Sequence, residues 1–252
     1  MDFVYVLKEL YWLARKHPED VPSAVLSLLR SFGRPVVSLG GVLLRISPRL
    51  SLEVIRAIEN GSYERPERRM VQATLSPDDR VLEFGSGLGF MSAFCARTIG
   101  SDRVFTFEGN PALKLPIEET FRLNAVSPVF ENCLIGRSSG SAQFHVAKSF
   151  LASSAYPIPG SKSVVVPVRS FREEVLRIQP SFLIVDIEGG EVEIFDDAVK
   201  SMPSVRKIAI EVHPWITGEE ALSRMEQDLH AAGFSLVAAL SVPGRQLYLE
   251  RR

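Results

Sequence analysis

The chain has almost no cysteine: Cys95 and Cys133 are the only two among 252 residues. Cys95 falls in an apolar helical pattern and Cys133 in an apolar strand-like one, which predicts buried free thiols rather than a disulfide. Neither has partners at the spacing of a cysteine zinc site or a catalytic dyad. Long apolar runs are missing too; none nears the roughly 20 residues that a membrane-spanning helix needs. The start, Met1-Asp2-Phe3, lacks a basic region and a small-residue cleavage site, so no signal peptide is expected and the cytoplasm is the expected compartment. Charge of one sign is lacking as well. Lys and Arg total 29 against 30 Asp and Glu, a net charge of -1, which exerts no general pull on nucleic acid or anionic lipid. The pairs Arg68-Arg69 and Arg251-Arg252 are too short for a basic patch. The expectation is therefore no nucleic-acid partner and no membrane span.

What is present fits one sizeable core with a small appendage: 46% of residues are hydrophobic and 23% charged. In the front section, Phe3, Val6, Leu7, Leu10, Leu13 and Ala14 recur at helical spacing before His17-Pro18, and a second helix is predicted over 22–31. Two short strands, 36–39 and 42–46, flank Gly40-Gly41. Ser51 or its neighbour is placed to cap a helix through Ile58 that Asn60-Gly61 closes. Residues 1–70 are thus expected to form a helical and hairpin extension, serving as a lid or a homodimer face, ahead of a main domain over 71–252.

From Arg80 strands and helices alternate. Strands are predicted at 81–84, 104–108, 132–135, 164–168, 182–186 and 207–211, with helices at 88–99, 111–124, 171–178, 191–201 and 219–232. A hairpin is predicted with Ser139-Gly140-Ser141 as its turn, and strands at 234–240 and 246–250 as an antiparallel pair at a sheet edge. The alternation implies an α/β fold, a mostly parallel sheet covered on both faces. Ligands of such sheets bind at the carboxyl ends of the strands, here after Phe84, Phe107, Ile135, Val185 and Ile210.

The polar residues gather at those ends. Glu83-Phe84-Gly85-Ser86-Gly87-Leu88-Gly89 follows a strand and opens a helix, so glycines let the backbone approach a ligand that faces the helix N–H groups. A dinucleotide loop would space its glycines G-x-G-x-x-G. Here the third comes one residue early and Glu83 precedes the loop. An acid there would repel a pyrophosphate but could hold the cationic amino group of S-adenosylmethionine (SAM). This disfavours a nicotinamide-dependent oxidoreductase, the rival enzyme class. Glu108 ends the second strand, where a carboxylate accepts bonds from ribose hydroxyls. Gly136-Arg137-Ser138 is placed to read an adenine edge. Asp186-Ile187-Glu188-Gly189-Gly190-Glu191 crowds three carboxylates around a strand end, and Glu211-Val212-His213-Pro214 ends the neighbouring strand. Asp186, Glu188 and His213 are the candidate bases. Asp186, Glu211 and His213 could also form an oxygen-and-imidazole metal set, a reading that is not favoured.

In this order the motifs resemble the FkbM-type methyltransferases, a branch of the class I SAM-dependent fold. The resemblance covers about residues 61–252. It rests on Gly61-Ser62-Tyr63-Glu64, the loop from Glu83 to Gly89, Phe107-Glu108-Gly109-Asn110-Pro111, the stretch Val185 to Glu191, and Ile210-Glu211-Val212-His213-Pro214. It implies a Rossmann-like, mostly parallel seven-stranded sheet with an antiparallel C-terminal edge strand, and SAM as cofactor. The cofactor residues it implies are Tyr63, Glu64, Glu83, Gly85, Ser86, Gly87, Glu108, Gly109, Asn110, Gly136, Arg137, Ser138 and Asp186. It further implies O-methylation of a hydroxyl on a sugar, glycan or secondary-metabolite scaffold. The family's first loop usually reads Asp-x-Gly-Ala-Asn-x-Gly, so this chain departs at its middle positions while keeping an acid, Glu83, and the outer glycines. A SAM-fold scaffold without activity is the non-enzyme alternative.

Overall fold

The computed structural model describes residues 36–47, 50–147, 153–156, 160–195 and 202–251. The helices expected at 3–14 and 22–31, residues 196–201 and part of the 150–162 loop lie outside them. In chain order the strands and helices are β1 Val36–Leu39, β2 Val42–Arg45, α1 Leu52–Glu59, α2 Arg65–Thr74, β3 Val81–Phe84, α3 Phe90–Ile99, β4 Val104–Phe107 and α4 Lys114–Leu123. Then come β5 Val129–Glu131, β6 Leu134–Gly136, β7 Gly140–Val146, β8 Lys162–Ser170, α5 Phe171–Ile178, β9 Phe182–Val185 and α6 Glu191–Phe195. The last are β10 Lys207–Glu211, α7 Pro214–Thr217, α8 Glu219–Ala231, β11 Phe234–Leu236 and β12 Gln246–Arg251.

Seven strands form the main sheet in the order β11-β12-β10-β9-β3-β4-β5. Neighbours from β10 to β5 are parallel, while β12 runs antiparallel to both β10 and β11. This is the Rossmann-like class I arrangement that the resemblance implies. The antiparallel C-terminal strand lies one place inside the edge, however, because β11 caps it.

Successive side chains of the inner strands point to opposite faces, and each face buries its own core. Val81, Val104, Phe182, Ile184 and Ala209 pack with α3, α4 and the front segments β1, β2, α1 and α2. Leu82, Phe84, Leu183, Val185, Ile208 and Ile210 pack with α5, α6 and α8. The described front residues therefore share a core with the sheet.

Two expectations are corrected here. The third parallel strand is β5, at 129–131, rather than 132–135. Leu134–Gly136 instead joins a separate three-stranded sheet ordered β6-β8-β7, pairing parallel with β8. Gly140 and Ser141 are consequently strand residues paired with Val168 and Pro167, so they are not a turn.

Candidate active site

The glycine loop lies where β3 meets α3. A Cβ on Gly85 would stand 1.6 Å from the Asp186 carbonyl oxygen. The backbones after β3 and β9 therefore touch, which sets Asp186 directly beside the loop. Gly89 serves packing, since a Cβ there would press on Phe121 and Ile117 of α4 at 2.9 and 3.1 Å.

Glu83 does not face this site. Its place in the pleat directs it to the α3 face, where its carboxylate accepts hydrogen bonds from Ser92 and Thr106 at 2% exposure. Burial pushes it up to about 7. Ser86 is likewise turned inward, with its Oγ 2.6 Å from Thr106 Oγ1.

Glu108, at the end of β4, is held rigidly. Its Oε2 accepts from the Gly87 N–H at 3.0 Å and its Oε1 from the Asn110 N–H at 2.7 Å. Each oxygen can accept a further hydrogen bond, and Glu108 lines the cleft. Burial raises this group to about 7 against the effect of those bonds. Asn110 is buried and caps the turn after Glu108 through Ala112. Gly109, Gly136, Arg137 and Ser138 line the cleft next to Glu108.

Asp186, Glu188 and His213 come together. His213 Nε2 lies 3.8 Å from Asp186 Oδ1 and 3.4 Å from Glu188 Oε2, and its Nδ1 is 2.7 Å from Glu191 Oε1. Glu191 is 1% exposed and also accepts from the N–H groups of Ile187 and Gly189. A carboxylate at Nδ1 keeps a proton on that nitrogen and aims Nε2 at the other two acids. Burial opposes a charge on His213, but Glu191, Glu188 and Glu211 outweigh it and raise the imidazole's proton affinity. Burial, then the charges of Glu211 and Glu188, hold Asp186 well above the carboxylate range; burial lifts Glu188 to about 7. Glu188 also has φ 50, a left-handed conformation that non-glycine residues seldom adopt and that clusters at functional sites.

Asp186, Glu188 and His213 are the group among the described residues whose donor atoms span a metal-sized gap, all within 4.8 Å. The set drawn from the sequence, with Glu211 in place of Glu188, is not the one the fold gathers. Glu211 is hydrogen-bonded instead to Glu67, which also bonds Gln246.

Gly85, Gly87, Glu108, Gly109, Asp186 and Glu188 line one cleft of about 710 Å³ together with Tyr63 and Glu64, and His213 stands behind the two acids. Tyr63 packs edge-on against Phe90 and its hydroxyl faces Glu64 and the backbone of Leu88. Glu67 also lines the cleft, a residue that sequence reasoning missed. Its signal was a charge three residues before Met70 and four before Val71, on the buried stripe of an amphipathic helix.

A family model described as the FkbM methyltransferase domain matches residues 83–236. No curated protein matches the chain. Solved structures similar to it include the fibrillarin pre-rRNA processing protein of Methanococcus jannaschii, 12% identical over 87% of this chain and 83% of that one, with a TM-score of 0.43. Fibrillarin of Aeropyrum pernix with bound S-adenosyl-L-methionine is 13% identical over 87% and 84%, TM-score 0.42. A precorrin-6y C5,15-methyltransferase of Geobacter metallireducens is 14% identical over 74% and 85%, TM-score 0.43.

Proposed function

The chain belongs to the FkbM methyltransferase family, whose model spans more than half of it, and from that premise we propose that it methylates a hydroxyl oxygen. SAM is the donor in this reading, supplying an electrophilic methyl carbon on a sulfonium. The acceptor is a sugar, glycan or secondary-metabolite scaffold. The cleft's residues fit such a donor: Glu108 offers paired acceptor oxygens for ribose hydroxyls, and the Gly85–Gly87 backbone is open to close approach.

The observation that carries the reading is the placement of Asp186, Glu188 and His213 beside the glycine loop. An in-line displacement gains most from positioning, but a weakly acidic hydroxyl must also lose its proton as the new bond forms. Asp186 is the base in this reading, with its Oδ1 buried and without a hydrogen-bond partner. Glu188 and His213 flank it and can receive the proton in turn. Glu191 acts through His213, so it is a positioning residue. The front segment 1–70 is read as the lid and acceptor-selecting part of the molecule.

The test is mass spectrometry of hydroxyl, amine and thiol acceptor panels incubated with SAM and the protein. Gain of a methyl group on hydroxyl acceptors alone is expected. Methylation confined to amines or thiols would refute the O-methylation reading.

A further inference from the structure

Glu67 is 8% exposed, it lines the cleft, and its Oε1 accepts no hydrogen bond. A buried carboxylate oxygen left unmet is costly, and its persistence in a cleft calls for a donor from outside the chain. Glu67 lies against Glu211 and Gln246. Glu64 precedes it by three residues at the start of α2, in a left-handed conformation with φ 47. Tyr63, beside Glu64 and Leu88, ties this corner to the glycine loop.

Charge in the cleft is one-sided. Glu64, Glu67, Glu108, Asp186, Glu188, Glu193 and Glu211 line it, and among the described lining residues Arg137 alone is a Lys or Arg. Arg137 donates to the Glu193 carbonyl. Glu83, the acid that the sequence offered for a cation, is taken up by Ser92 and Thr106 and does not line the cleft. A cation entering here must therefore use other carboxylates.

We propose that Glu64, Glu67 and Glu211 form an ammonium-binding subsite whose occupant is the α-ammonium at the amino-acid end of the methyl donor. This rests on the functional reading above. An ammonium has three N–H donors to distribute among separated carboxylate oxygens. A metal would need closer ligands, and the metal-spaced group among the described residues excludes these three. Glu108 follows the last residue of β4 and Glu211 ends β10, two strands three intervals apart in the sheet order, or about 14 Å. An elongated ligand can bridge that distance with its ribose on Glu108 and its amine at this corner.

Calorimetry with two ligands tests the assignment. S-adenosylhomocysteine keeps the ammonium, whereas 5′-methylthioadenosine lacks the whole amino-acid end. Glu67→Gln should weaken S-adenosylhomocysteine roughly ten- to hundredfold, the range of one lost charge-assisted bond, and leave methylthioadenosine within about twofold. A cooperatively melting Glu67→Gln protein that binds S-adenosylhomocysteine like the wild type would overturn the subsite, as would equal weakening of both ligands. Should Glu67→Gln fail to fold, Glu64→Gln is held to the same split. Wild-type protein that binds neither ligand would instead sink the functional reading itself.

Discussion

At Gly85 the backbone has φ +87, and any side chain would drive its first carbon into the Asp186 carbonyl. Two penalties coincide there, an unfavourable dihedral for an L-residue and a backbone clash that no rotamer relieves. Gly85→Ala should cost about 3 kcal/mol or more and abolish SAM binding, as thermal melts and calorimetry would register. Asp186 has the opposite profile. Its backbone N–H ties it to the Phe84 carbonyl at 2.9 Å, but its side chain holds little, since Oδ1 has no hydrogen-bond partner. Asp186→Ala should therefore fold and bind SAM while turnover falls about a hundredfold or more. An Asp186→Ala protein with wild-type turnover would remove this carboxylate from the mechanism.

At the level of elements, legibility followed burial. Strands β3, β4, β9 and β10 are short apolar runs between helices, and the sequence reading located them with the glycine loop, Glu108 and Asp186 at their ends. Helix α2 went unseen because its first half, Arg65–Arg69, is charged apart from Pro66, and the buried apolar residues are only Met70 and Val71. The direction of Glu83 was illegible for a related reason. A strand covered on both faces has no polar side to reveal which way an acid points. Strand β5 is three residues long with one of them charged, and its register depends on β4 rather than on its own pattern. Long-range ties of this kind were equally hidden. Asn124, at the end of α4, accepts from the Leu43 N–H at 2.9 Å and donates to the Leu43 carbonyl at 2.8 Å. It thereby stands in for a neighbouring strand along β2. Asn124→Ala leaves both backbone groups unmet and should destabilise the protein by about 1–3 kcal/mol. Hydrogen exchange should accelerate at Leu43 and its neighbours before the main sheet is affected. Uniform acceleration across the sheet, with no early change at β2, would argue against this role.

Across the whole molecule the two ends of the sheet are charged differently. At the amino ends Asp79 is fully buried, but Lys207 meets it at 2.6 Å and Ser181 at 2.7 Å. At the carboxyl ends seven carboxylates and one arginine among the described residues line a cleft. Burial raises Glu83, Glu108, Glu188 and Glu211 each to about 7, whereas carboxylates in the unfolded chain titrate near about 4.3. The fold therefore binds protons more tightly than the unfolded chain between those two values. Stability from these groups is fully present below the ordinary carboxylate range and is lost as pH rises through about 7. His213 is raised too and acts in the same direction. The ligand-free protein should thus melt at a higher temperature at pH 5 than at pH 8, measured by scanning calorimetry at fixed ionic strength. A bound ammonium favours the ionised acids, so saturating S-adenosylhomocysteine should raise the melting temperature more at pH 8 than at pH 5 and flatten the profile. A ligand-free melting temperature that climbs from pH 5 to pH 8 would show that the cleft's acids do not govern the pH response of the fold.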